Sequence, residues 1–219
     1  MVPKEYYGRL FTKEQLPVDY HLEAFTLESM IKVDKQLRCK RCYSQIEEDW
    51  QLPEGQYYCR ACIVFGRNQE GKELYYFPSK TSEIEFPVLK WLGELTPYQA
   101  EVSEKLLETY QKQKDSLVHA VTGAGKTEMI YKIVAYVLGN KGRVAIASPR
   151  VDVCRELFLR MQRDFTCSIS LLHAESEPYD GSPLVIATTH QLLKFYQNFD
   201  LVIVDEVDAF PFVGNVMLN

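Results

Sequence analysis

The sequence predicts an α/β protein in which a parallel sheet, with helices on both faces, is preceded by a small four-cysteine module. Short apolar runs alternate with helical stretches from residue 91 onward, and two Cys-x2-Cys pairs precede them. We therefore divide the 219 residues into four parts. These are an N-terminal extension, a cysteine module, a connecting segment and an α/β lobe, at residues 1–36, 37–66, 67–90 and 91–219.

The composition is that of an ordinary soluble chain, with 46% hydrophobic and 25% charged residues and a net charge of −5. This charge excludes a protein whose overall field attracts nucleic acid, so any such binding needs a local patch. The longest run without Asp, Glu, Lys or Arg, 181–193, is shorter than the roughly 18 residues of a membrane span. The start of the chain lacks a signal-peptide pattern. We expect a cytoplasmic protein with no direct membrane insertion.

The cysteine module is predicted by Cys39, Cys42, Cys59 and Cys62. Each pair fits a tight turn that points two sulfurs at one ion, and the 16-residue insert between the pairs is long enough for a short hairpin. Four thiolates leave no open coordination position, so the spacing predicts one structural Zn²⁺. Two disulfides are the alternative, which a reducing cytoplasm disfavours. Cys154 and Cys167 lie at unmatched spacing and are predicted to be small buried side chains.

The lobe begins with a helix that Thr96 caps and that carries apolar residues at four-residue spacing. Further helices are predicted over residues 128–138 and 151–164. The apolar runs between them are typical of buried parallel strands. The predicted strands are residues 116–120, 143–148, 168–172, 183–188 and 201–205.

A phosphate-binding pattern follows the first of these runs. Residues 120–127 read Ala-Val-Thr-Gly-Ala-Gly-Lys-Thr, which is G-x4-G-K-[ST] with alanine at the first position. The glycines let amide N–H groups converge on phosphate oxygens, Lys126 is expected to reach the β and γ phosphates, and Thr127 is expected to bind Mg²⁺. A glycine-rich turn without a ligand is the alternative. The residues expected around the nucleotide are Thr122, Gly123, Ala124, Gly125, Lys126, Thr127 and Glu128.

An acidic pair follows the last apolar run. Asp205 and Glu206 come directly after residues 201–204, at the carboxyl end of a predicted parallel strand, where α/β sheets face their ligands. We expect Asp205 to hold Mg²⁺ and Glu206 to polarise the attacking water. Alone, such a pair is more often a solvated turn; together with the phosphate loop it predicts a catalytic site.

These motifs resemble those of superfamily-2 helicases and translocases. The resemblance rests on AxTGxGKT, on Asp-Glu-x-Asp at 205–208, on the segment 95–99 and on the motif Ia and Ib segments at 148–150 and 187–191. It implies a RecA-like first motor lobe that uses ATP and Mg²⁺, with Lys126 and Glu206 as catalytic residues. It also implies that Gln99 reads adenine and that Arg150, Thr188 and His190 contact the nucleic-acid backbone.

Each of these implied contacts has an alternative. Gln99 also fits a capping box with Thr96, Arg150 fits an exposed helix start, and His190 fits a helix cap or a surface position. In the cysteine module, Lys40, Arg41 and Arg60 lie near tyrosines, a mixture that suits single strands. However, residues 32–62 hold six basic and five acidic side chains, which favours a structural or protein-contact module.

The phosphate loop is similar to that of PriA, which carries its zinc-binding cysteines within the second motor lobe. Four cysteines ahead of the motor, and the sequence DEVDAFPF at 205–212, are most similar to the ComFA-type competence proteins. That family implies single-stranded DNA as substrate. It also implies contacts with the membrane DNA-uptake machinery and other competence proteins, at the cytoplasmic face of the membrane.

Motifs III to VI of this superfamily are not found in the 219 residues. We therefore expect an N-terminal fragment without the second lobe, nearly inactive in isolation because the arginine finger would come from that lobe. Two other functions remain open. One is another P-loop enzyme such as a small-molecule kinase, and the other is a non-catalytic assembly module that a nucleotide switches.

Overall fold

The structure is a computed structural model that describes residues 2–80, 84–121 and 123–206. Its N-terminal part is built from short strands because prolines and turns interrupt the chain there. The strands are β1 (Leu10–Phe11), β2 (Phe25–Glu28), β3 (Met30–Val33), β4 (Gln36–Cys39) and β5 (Glu73–Tyr76). Single turns of 3-10 helix accompany them at Lys4–Tyr6, Lys13–Gln15, Val18–Tyr20 and Ile63–Phe65.

Strand β5 pairs antiparallel with β1 on one side and β2 on the other. The connecting segment and the N-terminal extension therefore share one sheet, with the cysteine module inserted between them in sequence. The hairpin β3–β4 leads into this module, with Met30 opposite Cys39. A second, shorter hairpin follows, in which Gln51 bridges Tyr57 and the Tyr58 N–H bonds the Trp50 carbonyl. This is the hairpin that the spacing of the cysteine pairs predicts.

The second part of the chain alternates helices and strands as predicted. The helices are α1 (Pro97–Gln111), α2 (Lys126–Met129), α3 (Tyr131–Gly139), α4 (Val151–Asp164) and α5 (Thr189–Leu192). The strands are β6 (Val144–Ser148), β7 (Ile169–Leu172), β8 (Leu184–Thr188) and β9 (Leu201–Val204). The predicted helix over 128–138 is thus two helices that meet at Ile130.

These four strands form one parallel sheet in the order β7-β8-β6-β9. Alternate residues point to opposite faces because the side-chain period of a strand is two. One face packs against α3 and α4, and the other against α5 and the rings of Tyr179 and Phe195. The prediction of an α/β lobe with a parallel sheet covered on both faces is confirmed.

The predicted strand over 116–120 is wrong. The structure assigns no strand to residues 115–121, and Leu117 and Val121 are 84% and 76% exposed. An apolar run forms a strand only if a neighbouring strand pairs with its backbone hydrogen-bonding groups. A single sequence does not specify that neighbour. The phosphate loop is therefore positioned by helices rather than by a paired strand.

A buried hydrogen bond ties two helices of the lobe together. The Tyr131 hydroxyl on α3 donates to Asp164 Oδ2 at the end of α4 over 2.6 Å, and Arg163 Nε donates to the other carboxylate oxygen over 2.8 Å. Bonding to Arg163 and then to Tyr131 holds the pKa of Asp164 below its usual range. The carboxylate therefore stays charged at a buried position, where Tyr131 and Arg163 satisfy it.

Candidate functional site

The cysteine module brings all four predicted ligands together. The sulfurs lie within 4.8 Å of one another, with Sγ–Sγ distances of 3.7 Å for Cys39–Cys62 and 3.6 Å for Cys42–Cys59. A tetrahedron with metal–sulfur bonds of about 2.3 Å has edges of about 3.8 Å, so the four residues fit one tetrahedral ion. A disulfide is about 2.05 Å long, so this arrangement does not favour the alternative of two disulfides. The cluster could hold one metal ion.

The four thiols perturb one another because they are buried together. Hydrogen bonds from Cys42 and the other thiols lower the pKa of Cys39, and bonding to Cys39 and the other sulfurs raises the pKa of Cys62. The lowered pKa of Cys39 favours its thiolate, which is the form in which a cysteine binds a metal. A bound cation would favour the thiolate form of all four cysteines, because metal binding deprotonates its thiol ligands.

Two side chains support the cluster: Asn68, which the sequence prediction missed, and Arg41, which it considered only for contacts with single strands. Asn68, which is buried, donates from Nδ2 to Cys39 Sγ over 3.1 Å and to the Ser29 carbonyl over 2.7 Å. Arg41, also buried, donates to the Phe65 and Gly66 carbonyls at 2.8 Å each and so ties the first Cys-x2-Cys turn to the chain after the second. No spacing rule predicts such residues, because they act through contacts between distant segments.

The remaining cysteines behave as small packing side chains. Cys154 is fully buried in the main core, as predicted, and Cys167 is half-buried against the same core. Burial raises the pKa of both thiols, that of Cys167 to about 11. Neither is a reactive nucleophile near neutral pH.

The carboxyl edge of the parallel sheet collects three of the predicted motifs. Ser148 at the end of β6 is in register with Thr188 at the end of β8, and the Asp205 N–H continues the ladder by bonding the Ala147 carbonyl over 2.8 Å. The ends of β8, β6 and β9 are therefore side by side. Motifs Ib, Ia and the acidic pair lie on one edge, which is where open α/β sheets bind ligands.

Arg150 connects two of these motifs. It lies immediately before α4, and its guanidinium bonds Asp152 over 2.5 Å and lies 3.8 Å from Glu206 Oε1. The side chain is 56% exposed, so both pairs are weak and exchangeable. Arg150 thus fits the helix-start alternative, and its charge also remains accessible to an anion at the sheet edge.

His190 and Thr188 lie on the same edge. Thr188 precedes α5 at its N-cap position without a side-chain capping bond, and His190 is exposed on the helix. The nucleic-acid contacts of Arg150, Thr188 and His190 stay predictions.

The glycines of the phosphate loop have the backbone that the motif requires. Gly123 and Gly125 have φ values of +82° and +75°, in the left-handed region that disfavours residues with a Cβ. No atom lies within 4 Å of the Cβ position of Gly123, whereas a Cβ at Gly125 would overlap with Gln99 Nε2. The loop is open where phosphate oxygens are expected and tightly packed against α1.

The side-chain amide of Gln99 is hydrogen-bonded at both ends. Its Oε1 accepts the Thr96 N–H over 2.8 Å, which completes the capping box at the start of α1. Its Nε2 donates to the Ala124 carbonyl in the phosphate loop over 2.9 Å. The capping alternative is therefore present in the structure. One amide hydrogen and one oxygen lone pair are left for adenine, so the adenine role stays a prediction.

The other loop residues divide between solvent and α4. Lys126 is exposed and Thr127 is half-buried; among the described residues neither has a side-chain hydrogen bond. Glu128 instead forms an ion pair of 3.5 Å with Arg160 on α4. Thr122 lies outside the described residues, as do residues 207–212 with the last acidic residue of the Asp-Glu-x-Asp motif.

A parallel α/β sheet with an acidic pair after its edge strand and a G-K-T loop before a helix defines a P-loop nucleotide-binding protein. The family model described as "Type III restriction enzyme, res subunit" matches residues 92–212, more than half of the chain. The chain belongs to this helicase-type family, which uses a nucleotide and Mg²⁺.

Curated relatives carry the resemblance further. The chain is 58% identical over 217 residues to competence protein ComFA of Streptococcus pneumoniae, covering 98% of this chain and 49% of that protein. It is 36% identical over 212 residues to ComFA of Bacillus subtilis, covering 92% and 46%. Replication restart protein PriA of Synechocystis is more distant, with 29% identity over 124 residues, or 52% of this chain and 15% of that protein. The predicted similarity to ComFA is confirmed, and the chain spans about half the length of these ComFA proteins.

The described residues contain no helix that is both long and apolar enough to cross a membrane.

Proposed function

We propose that this chain contains the ATP-binding motor lobe of a single-stranded DNA translocase that acts in DNA uptake during competence. The observation that carries the proposal is the sheet edge on which Thr188, Ser148 and Asp205 end three neighbouring strands. Nucleotide-binding and DNA-binding motifs on adjacent strand ends can move together when a nucleotide is bound or hydrolysed. The similarity to ComFA over nearly the whole chain supports the biological setting.

In this proposal the phosphate loop and the acidic pair divide the work of ATP hydrolysis. Lys126 binds the β and γ phosphates, and the amides of residues 123–127 complete the phosphate cradle. Thr127 and Asp205 hold Mg²⁺, which supplies charge neutralisation on the phosphates when it is bound. Glu206 orients and polarises the attacking water.

The DNA would lie across the carboxyl edge and be held through its backbone. Arg150 offers a charge to phosphates, and Thr188 and His190 offer polar groups one strand away. Such contacts fix the strand without reading its bases, as a translocase requires.

The cysteine cluster is proposed to hold one Zn²⁺ through Cys39, Cys42, Cys59 and Cys62. The sulfur separations and the Asn68 N–H aimed at Cys39 Sγ support this assignment. Elemental analysis of the reduced protein should find one zinc per chain. A metal-free protein whose four thiols are all titratable would contradict the assignment.

The work of such a translocase would place the protein at the cytoplasmic face of the membrane, held there by contacts with uptake and competence proteins. The support is the similarity to competence protein ComFA.

Steady-state ATP hydrolysis by the complete protein that carries this chain, with and without single-stranded DNA, tests the function. The proposal expects slow basal hydrolysis that single-stranded DNA stimulates. Tight ATP binding without hydrolysis under any condition would point to a nucleotide-switched assembly module. Hydrolysis or phosphoryl transfer that depends on a small molecule and ignores DNA would point to another P-loop enzyme.

A further inference from the structure

The contact between the cysteine module and the lobe is made by the chain that follows α5. We call residues 193–196 the post-α5 turn. Leu193 is 6% exposed and packs in the same cluster as the four cysteine side chains, with Met30 and Ile46. A residue of the lobe is thus part of the hydrophobic interior of the module.

The adjacent leucine faces the other way. Leu192, 5% exposed, packs in the cluster of the sheet with residues of β6 and β8. Two consecutive leucines therefore pack in different interiors: Leu192 in that of the lobe and Leu193 in that of the module.

Two further contacts hold the post-α5 turn to the module. Lys40, inside the first Cys-x2-Cys turn, places its ammonium 5.7 Å from the centre of the Tyr196 ring. Lys194 places its ammonium 5.3 Å from the centre of the Phe65 ring, three residues after the last cysteine. Cation–π contacts of this kind add to the apolar contact of Leu193 and help to orient the post-α5 turn on the module.

The post-α5 turn is rigidly joined to the motif Ib segment. The N–H groups of Leu193 and Lys194 bond the carbonyls of His190 and Gln191, at 3.3 and 3.2 Å. The helical turn therefore continues from His190 into the residues that the module grips. A displacement of Leu193 would be transmitted to His190 and Thr188 within a single turn.

We propose that the cysteine module positions the motif Ib segment through Leu193, so that the folded module sets the affinity of the lobe for single-stranded nucleic acid without itself touching the strand. This inference rests on the proposed function, because it assumes that Thr188 and His190 lie along the strand. The module then has a positioning role: the uncharged side chain of Leu193 transmits the folded state of the module to the motif Ib segment.

The test is the affinity of the 219-residue chain for a fluorescein-labelled oligo(dT) strand, measured by anisotropy over a range of salt concentrations. Leu193→Ala should weaken binding roughly 2- to 30-fold, the range expected when a coupled packing contact is lost. Because no phosphate contact is removed, the slope of log affinity against log salt should not change. Zinc content and affinity for a fluorescent ATP analogue should also stay as in the wild type. Chelating the metal should reproduce the loss of DNA affinity.

Leu192→Ala is the matched control, since it removes an equally buried leucine from the lobe. Both substitutions remove a buried leucine and should lower the melting temperature. Only Leu192→Ala should lower the affinity for the ATP analogue, because only Leu192 packs against the sheet that carries the proposed nucleotide site. If Leu193→Ala loses its metal, Phe65→Leu carries the test. It keeps an apolar side chain in the module and removes only the ring against Lys194, and it should weaken DNA binding roughly two- to fivefold.

Two results would overturn the inference. One is wild-type DNA affinity in Leu193→Ala and Phe65→Leu. The other is a loss of affinity with a shallower salt slope in Arg60→Gln or Arg67→Gln, which change an exposed arginine of the module and an exposed arginine directly after it. That result would mean that the module grips the strand directly. A wild-type chain that fails to bind oligo(dT) at all would instead count against the proposed function.

Discussion

Replacing Gln99 by alanine should weaken nucleotide binding, because this side chain joins the start of α1 to the phosphate loop. The substitution removes the 2.9 Å bond to the Ala124 carbonyl and the 2.8 Å bond to the Thr96 N–H. Each is a partly exposed neutral hydrogen bond, with a net contribution of about 1 kcal/mol. The bond to Thr96 stabilises α1, whereas the bond to Ala124 orders the loop.

The expected loss in nucleotide affinity is therefore that of the loop bond alone, about fivefold. If Gln99 also contacts adenine, a second lost hydrogen bond raises the factor to about 30. Titration calorimetry with Mg·ATP measures this factor. Parallel titrations with Mg·GTP separate the two contributions, because only a lost adenine contact reduces the preference for ATP.

Thr96→Val is the control. It removes the hydroxyl that accepts the Gln99 N–H over 3.4 Å and leaves the amide contact with Ala124 in place. It should lower the free energy of unfolding by about 1 kcal/mol with little change in nucleotide affinity. Unchanged affinity in Gln99→Ala, or an equal loss in both variants, would refute the idea that Gln99 orders the phosphate loop.

Three further predictions follow from single contacts. Asn68→Leu removes the donor to Cys39 Sγ and should lower metal affinity roughly 10- to 100-fold in a chelator competition; an unchanged affinity would show that the amide does not support the thiolate. Tyr131→Phe should cost about 2 kcal/mol in urea unfolding at pH 7. The pKa of Asp164 is lowered in the folded state. Its carboxylate therefore contributes stability above about pH 4, and this stability is lost as the pH falls through the folded pKa. The difference in unfolding free energy between variant and wild type should shrink in acid. A constant difference would contradict the charged hydrogen bond. Arg150→Gln should weaken oligo(dT) binding and reduce the salt slope by about 0.7, the value for one lost phosphate contact on a single strand; an unchanged slope would leave Arg150 as a helix-start residue only.

The sequence predicted the lobe well where local patterns decide structure. The strands at 143–148, 168–172, 183–188 and 201–205 formed within one residue or so of their predicted bounds, because short apolar runs at a sheet interior have few alternatives. Helix α4 spans the predicted residues, Val151–Asp164. The cysteine cluster formed because two tight turns and one hairpin suffice to bring the pairs together.

The parts that local patterns did not reveal depend on distant contacts. The sheet that joins the N-terminal extension to the connecting segment pairs Leu10 with Tyr76, and no periodicity over two residues predicts such a strand. Asn68 reaches Cys39 across 29 positions, and Gln99 reaches Ala124 across 25. The partner for residues 116–120 was likewise not specified locally. Sequence alone therefore predicted the candidate metal ligands and the motifs, but not the residues that hold them in place.

We propose that the phosphate loop and the acidic pair form one nucleotide site in which they have separate roles. Calorimetric binding of Mg·ATP to the wild-type chain, Lys126→Ala and Glu206→Gln tests this claim most directly. Lys126→Ala should bind Mg·ATP roughly 10- to 150-fold more weakly than the wild type, because it loses a charged contact with the phosphates. Glu206→Gln should bind within about threefold of the wild type, because the proposed contact is with the attacking water rather than with the nucleotide. Wild-type affinity in Lys126→Ala, or no Mg·ATP binding by the wild-type chain, would contradict the account.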